Sequence, residues 1–174
     1  MQAARYTRTA RLLHWLVAAC IVAAFVLASS LQGLPLSPRK IHLINYHKWS
    51  GLTVLWLSLA RIFWRACHRP PQLPATLTNW ERDAASATHA TLYVLIVATP
   101  LLGWWLSSAL GFPITYLGHI RLPNLGSKDK VLAHLLEPMH VAFAWSLILL
   151  AALHALAALR HQFVLRDDIL RRIL

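Results

Sequence analysis

The sequence predicts an all-α integral membrane protein, and three observations indicate this fold class. Hydrophobic residues make up 57% of the 174 residues and charged residues only 13%, whereas a typical soluble domain has about 25% charged residues. Four apolar stretches are each long enough to cross a bilayer as a helix, which takes about 20 residues. Ten histidines are present, and several lie inside those stretches. We therefore expect a transmembrane four-helix bundle.

The four apolar stretches set the bounds of the predicted helices. Backbone polar groups in hydrocarbon must bond within their own segment, so each stretch is expected to be helical. The first stretch follows three arginines and is longer than the apolar part of a cleavable signal, so it is predicted to be retained. We expect one transmembrane domain over residues 1–174, with helices at about 12–34, 44–64, 88–110 and 139–159.

The basic residues predict the orientation of the bundle. Of the 17 lysines and arginines, eleven fall on the side of the two chain ends and six on the other side, so both termini are predicted to be cytoplasmic. Below, the side of the bundle predicted to be cytoplasmic is called the inner side, and the opposite side is called the outer side. The net charge of +11 suggests nucleic acid as a partner. Because the charges flank the spans instead of forming a stripe, we expect membrane lipid and no nucleic acid.

The outer side still carries an excess of positive charge, because its only acids are Asp129 and Glu137. Two interpretations are open. The basic residues bind lipid headgroups, or they form an electropositive funnel that steers an anionic substrate. The residues predicted to form such a funnel are Lys40, Lys48, Arg121, Lys128 and Lys130.

Three histidines of the last span are predicted to share one helical face. His140 and His154 are fourteen residues apart, which is about 40° short of four full turns and about 21 Å along the axis. His161 follows seven residues later, within about 20° of the face of His154. Imidazoles in a membrane are costly on the lipid side, so this face is expected to point into the bundle.

Pairing the buried histidines by depth predicts two levels. His47 is the counterpart of His140 at the outer level, while His14 and His89 are both candidates for His154 at the inner level. Two opposed imidazoles can hold a haem iron, and helical bundles house such cofactors. Zinc transport is less favoured, since such sites usually include carboxylates and the predicted spans contain none.

Other residues on these helices fit the same interpretation. Arg61 and Arg65 could pair with haem propionates at the inner level. The small residues Ala28, Gly51 and Gly103 lie on the histidine faces and would leave room for a flat macrocycle. Close packing of membrane helices is the other explanation for these small residues.

Four segments together resemble the bacterial cytochrome b561 family, which is related to the b-type cytochrome subunits of nickel-iron hydrogenases. The resemblance is carried by "RYTRTARLLHWLV", "HKWSGLTVLWLSLARIFWR", "HATLYVLIVATPLLGWW" and "HVAFAWSLILLAALHALAALRHQFVLRDDIL". It spans nearly the whole chain and is weakest in the outer loop from Gly111 to Glu137.

The resemblance implies two b haems and electron transfer linked to ubiquinone. It implies that His14 and His154 ligate the inner haem and that His47 and His140 ligate the outer haem. His89 and His161 match positions near the inner haem, where a quinone could bind. Some members of the family oxidise superoxide at the outer face and pass the electron to ubiquinone.

Two functions are therefore considered for this sequence. In the first, the protein is a dihaem oxidoreductase of the bacterial inner membrane. It takes electrons from a periplasmic donor, most plausibly superoxide, and reduces ubiquinone, with no covalent intermediate on any side chain. In the second, it is an electron-carrier subunit that connects a dehydrogenase or hydrogenase partner to the quinone pool, and its outer loops are a docking surface.

Overall fold

The computed structural model describes residues 5–72, 77–167 and 169–174 and contains four long helices there. They are α1 (Arg8–Ser29), α2 (Pro38–Cys67), α3 (Asn79–Ala109) and α4 (Lys130–Arg160). A π-helical turn (His161–Leu165) continues α4, and a 3₁₀ turn (Leu170–Arg172) follows. The predicted all-α fold class is confirmed.

Three helices in the described part of the chain are long and apolar enough to cross a membrane. They are α1, α3, and α4 extended through the π-helical turn. α2 has 30 residues, but basic and histidine side chains make it less apolar. That α2 is the fourth span stays a prediction, as does the cytoplasmic position of the termini.

The helices begin before the apolar stretches do, because polar residues cap their first turns. Thr7 and Ser37 accept hydrogen bonds from backbone N–H groups three residues on. Thr78 forms a reciprocal capping box with Glu81, and the Asp129 carboxylate caps α4. A cap satisfies N–H groups that have no partner inside the helix, so each helix extends beyond its apolar part.

The first helix ends at Ser29 instead of Leu34, so that predicted boundary was wrong. The Ser30 hydroxyl donates to the carbonyl of Val26 at 2.8 Å, and Gly33 adopts a left-handed φ of +71°. A glycine that leaves the helical region is a common helix terminator. Residues 30–34 therefore turn the chain towards α2.

The helices pack in sequence order around an apolar core. α1 packs on α2, α2 on α3 and α3 on α4, while the described parts of the α1 and α4 backbones stay further apart. Val54, Leu95, Ile96 and Leu147 form the buried centre of this core. The wider spacing between α1 and α4 leaves room for side chains that point inward from both.

The outer segment between α3 and α4 folds onto the ends of α2 and α3. It contains a small antiparallel hairpin of β1 (Thr115–Tyr116) and β2 (Ile120–Arg121), which the sequence analysis did not predict. The indole of Trp49 donates to the Thr115 carbonyl at 2.7 Å, and the Tyr116 hydroxyl lies 2.8 Å from the Thr53 hydroxyl. The segment is therefore a folded cap on the outer end of the bundle.

Candidate functional site

The outer histidine pair joins α2 to α4. The ring centroids of His47 and His140 are 6.1 Å apart, and the rings are inclined by 80°. Nδ1 of His47 lies 2.9 Å from the Ala24 carbonyl oxygen, and Nδ1 of His140 lies 3.0 Å from that of Thr99. Since a carbonyl oxygen can only accept, each Nδ1 carries the proton and each Nε2 keeps its lone pair.

These two hydrogen bonds are of the kind that orients metal-binding histidines. A ligating imidazole usually donates its other N–H to a carbonyl or carboxylate, which fixes the ring and its tautomer. Here the acceptors are helix backbone oxygens of α1 and α3, which could not be identified from residue types. The outer rings are thus held by two neighbouring helices, α1 and α3.

Gly103 of α3 lies very close to the His140 ring. A Cβ at this position would lie 2.9 Å from Cε1 of His140, too close for the ring to stay where it is. From the sequence, Gly103 was expected to leave room for a flat macrocycle, and that role stays a prediction. In the structure it makes room for the His140 ring. At Gly51, by contrast, a Cβ would meet no atom within 4 Å.

The inner cluster contains three imidazoles, from α1, α3 and α4. The centroid of His154 is 6.4 Å from that of His14 and 5.1 Å from that of His89. Nδ1 of His14 is buried and has no hydrogen-bond partner among the described residues. A buried polar atom without a partner is rare in proteins, and a bound group that contacts His14 would account for it.

The separations distinguish the two candidate partners of His154. Imidazole nitrogens bind metals at about 2 Å, and each ring centre lies ~1.1 Å behind its nitrogen. Two imidazoles that bind one haem iron from opposite directions would therefore have centroids about 6 Å apart. The outer pair and the His14–His154 pair match this distance, at 6.1 and 6.4 Å. The 5.1 Å between His89 and His154 is shorter. His14 is therefore the better fit.

The inner cluster opens into a cavity of about 830 Å³, which is called the inner cavity below. Cofactor and ligand cavities commonly have volumes of about 300–1,000 Å³. His14, His89, His154 and His161 all line it. Glu81 is the one acid among the described lining residues. Six arginines also line the cavity: Arg5, Arg61, Arg65, Arg69, Arg160 and Arg172. The cavity suits a ligand that carries carboxylates.

Arg61 and Arg65 both lie against Tyr93, a residue that sequence reasoning missed. The guanidinium carbons are 5.3 and 5.6 Å from the centre of the Tyr93 ring, within the range of cation–π contact. The two arginines are four residues apart on α2, so they occupy one face of that helix. Tyr93 follows His89 by four residues on α3, so the two share a helical face. This spacing could have indicated from the sequence that Tyr93 lies near the inner cluster.

His161 also lies at the inner cavity, in the π-helical turn that follows α4. Its Nδ1 is 2.6 Å from a carboxylate oxygen of Asp167. Sequence reasoning identified His161 but missed Asp167, because their contact depends on the turn between them.

Described residues from near both ends of the chain meet at the inner cavity, which Tyr6, Arg172 and Ile173 line. The Tyr6 N–H donates to the Arg172 carbonyl at 3.1 Å, and the Trp15 indole donates to the Ile173 carbonyl at 3.0 Å. The Arg172 guanidinium donates to the Gln72 carbonyl at 2.6 Å. These bonds hold the final residues against the inner cavity.

The five outer basic residues occupy different environments. Lys40 donates to the Leu34 carbonyl at 2.7 Å, and Lys48 to the Phe112 carbonyl at 3.4 Å. The side-chain stem of Lys128 packs against Gly111. Lys128, Arg121 and Lys130 are exposed, so their charges face solvent, whereas those of Lys40 and Lys48 also bind the backbone.

The arrangement combines a helical membrane bundle with imidazole pairs at two depths of the same helix. Imidazole pairs of this kind bind haem iron, and helical bundles are a usual scaffold for such cofactors. The fold and the site therefore define a class of protein, the haem-binding membrane cytochromes.

Comparison with known proteins identifies the family. The model of the prokaryotic cytochrome b561 family matches residues 5–174. This chain belongs to that family. It is accordingly a multi-pass protein of the bacterial inner membrane that binds b-type haem and transfers electrons, which confirms the resemblance drawn from the sequence.

Individual relatives align along nearly their whole length. Cytochrome b561 homolog 2 of Escherichia coli (strain K12) is 30% identical over 171 residues, which cover 98% of this chain and 91% of the relative. Cytochrome b561 homolog 1 of the same strain is 28% identical, with coverage of 98% and 97%. A probable superoxide oxidase of Yersinia pestis is 27% identical, with coverage of 93% and 91%.

Proposed function

We propose that this protein is a dihaem oxidoreductase that takes electrons from superoxide, an anionic periplasmic donor, and reduces ubiquinone. The observation that carries the proposal is the presence of two imidazole pairs, each of which includes one histidine of α4. His140 and His154 are separated by fourteen residues, about 21 Å of helix. Two redox centres at these depths would connect the two sides of the membrane.

Two b haems fit the residues at these levels. His47 and His140 would hold the outer haem, with both Nε2 atoms free because Nδ1 is bound to a carbonyl. His14 and His154 would hold the inner haem. When bound, the haems supply reversible one-electron chemistry, while the chain fixes their ligands and excludes water.

The acceptor site is proposed at the inner cavity. Arg61 and Arg65 provide cationic partners for propionates near the inner imidazoles, which is the role expected of them from the sequence. His89 and His161 line the same cavity and are left for the quinone once His14 and His154 are assigned to iron. His89 and His161 can each form a hydrogen bond with a quinone oxygen.

The donor site is proposed at the outer cap. The five basic residues would raise the local concentration of an anion and its rate of association. The relative from Yersinia pestis is named a probable superoxide oxidase, and superoxide carries the charge that such a surface attracts. The exposed residues Arg121, Lys128 and Lys130 would contribute most to this steering.

A direct assay tests the activity. The purified haem-loaded protein is mixed with an enzymatic source of superoxide and a short-chain ubiquinone, and quinol formation is recorded. We expect quinol to form and superoxide to disappear faster than by spontaneous dismutation. A rate no faster than dismutation would contradict the oxidase function and favour the alternative, a carrier subunit that receives electrons from a protein partner.

The steering of the donor can be tested by charge reversal. Lys130 and Arg8 are the first residues of α4 and α1, at opposite ends of the bundle. Lys130→Glu should slow reduction by superoxide by a factor of about two to three at low ionic strength and weaken its dependence on salt. Arg8→Glu changes the total charge equally at the inner end and serves as the matched control. Equal rates in both variants would contradict steering by the outer surface.

A further inference from the structure

We infer that Asp167 is a positioning residue that holds His161 as the proton donor to the quinone. The inference rests on the proposed function, because it assigns the proton-transfer step of that quinone reduction. Its basis is the hydrogen bond between these two side chains and the way the backbone places them at the inner cavity.

The contact between the two side chains is short and partly shielded from water. His161 Nδ1 and the Oδ2 atom of Asp167 are 2.6 Å apart, and the side chains are only 14% and 16% exposed. An ionised carboxylate can only accept a hydrogen bond. Nδ1 therefore carries a proton whether the ring is neutral or charged, and the exchangeable proton of His161 is the one on Nε2.

The backbone holds Asp167 in this position by bonds on both sides. Its N–H donates to the His161 carbonyl at 3.1 Å, and its second carboxylate oxygen, Oδ1, accepts from the Ile169 N–H at 3.2 Å. One carboxylate oxygen is thus bound to the backbone while the other faces the imidazole. The carboxylate has little freedom to turn away from His161.

The turn that brings the two residues together has an unusual conformation. His161 begins a π-helical turn that ends at Leu165, and the next residue, Arg166, has a left-handed φ of +54°. Left-handed backbone is unfavourable for a residue with a Cβ and persists where surrounding contacts fix it. Single π-helical turns are frequent at functional sites. Here the turn reverses the chain so that Asp167 meets the ring of His161.

The geometry separates the roles of the two residues. His161 lines the inner cavity together with His89 and His154, so its ring can contact a ligand there. Asp167 is not among the described residues that line the cavity. Asp167 therefore acts on the ligand through His161.

The proton step balances with the electrons that the donor supplies. Reduction of a quinone to the quinol takes two electrons, which come from the donor, and two protons. In the step assigned here, the Nε2–H bond of charged His161 breaks as an O–H bond forms on the quinone oxygen, and the N–H electron pair stays on Nε2. The neutral ring keeps its Nδ1–H on Asp167. Water then returns a proton to Nε2 and supplies the second proton of the quinol.

The first test separates the two half-reactions in the Asp167→Asn variant. An asparagine amide can donate to Nδ1, and a ring that accepts a hydrogen bond there cannot also carry a proton there. The charged form of His161, which donates the Nε2 proton, is then lost. We expect kcat for ubiquinone reduction to fall by about ten-fold or more, the scale of a general acid that is lost or misplaced. KM for ubiquinone, the haem difference spectrum and the rate of haem reduction by the donor should stay unchanged. Asp83→Asn, at an exposed aspartate on the same side, is the control.

The second test asks whether Asp167 acts through His161. The double variant His161→Gln/Asp167→Asn should be no slower than His161→Gln alone, because residues that act as a unit are not additive. Asp167→Glu keeps the carboxylate and should recover part of the rate. Additive losses, or no recovery with glutamate, would overturn the positioning role.

The results distinguish this inference from the proposed function. If the wild-type protein reduces ubiquinone and Asp167→Asn does so at the same kcat, the inference fails and the proposed function stands. If the wild-type protein reduces no quinone while its haems accept electrons, the proposed function fails and the inference falls with it. A loss of haem in Asp167→Asn, with Asp167→Glu also lacking haem, would show a structural role and overturn the inference.

Discussion

The outer and inner imidazole sites differ in how many of their ring nitrogens form hydrogen bonds within the protein. At the outer level, His47 and His140 each donate to a helix carbonyl, and Gly103 admits the His140 ring at close range. At the inner level, His14 Nδ1 is buried without a partner in the described part of the chain, and the rings face the inner cavity.

The difference indicates two kinds of site in one bundle. Both outer rings are bound to a helix carbonyl, which, under the proposed function, suits a centre that only accepts and passes on an electron. The inner rings share their surroundings with several arginines and two further histidines, as suits a place where a second ligand enters and protons move. The comparison predicts different sensitivities to substitution.

The largest effect is expected from removing a ligand of either pair. His140→Ala should abolish the outer haem and leave the inner one, and His154→Ala should do the reverse, because one imidazole leaves the iron with an open position. The haem-to-protein ratio and the reduced-minus-oxidised spectrum of each purified variant measure this. Two haems retained in both variants would contradict the assignment of both levels.

A second experiment separates the two candidate partners of His154. We expect His14→Ala to lose the inner haem, whereas His89→Ala keeps it and slows ubiquinone reduction. The physical reason is the 6.4 Å separation of His14 from His154, against 5.1 Å for His89. The haem content of the two variants decides between them, and the opposite pattern would assign His89 as the ligand.

A smaller effect, confined to the outer level, is expected from Gly103→Ala. The added methyl would lie 2.9 Å from the His140 ring, and the ring cannot yield without losing its bond to Thr99. Alanine favours helix by up to about 1 kcal/mol, so any loss of outer haem would come from the clash. The outer haem signal should shift or weaken, while the inner signal serves as the internal control. An unchanged outer signal would contradict this role of Gly103.

Much of the fold could be predicted because its determinants are local. The apolar stretches place the helices, and the fourteen-residue step from His140 to His154 puts both on one face of α4. The helix ends were less predictable, since α1 stops at Ser29 through a hydroxyl bond and a left-handed glycine. The hairpin from Thr115 to Arg121 was missed because its strands are only two residues long.

Parts of the candidate site could not be predicted for a different reason. The acceptors for His47 and His140 are backbone oxygens of other helices, and no residue type encodes them. Asp167 reaches His161 only through a π-helical turn and a left-handed Arg166. The contact of Gly103 with the His140 ring depends on the distance between α3 and α4, which spacing along α3 does not contain.

The sequence by itself determined the class of protein, the number of long helices and the histidines that share a face, because hydropathy and helical period act along one chain. Tertiary structure decided which rings oppose each other, which nitrogen of each outer ring is free and where the arginines gather. Those properties depend on distances between helices. A difference of about 1 Å between ring pairs distinguishes His14 from His89, and no pattern along a single helix contains it.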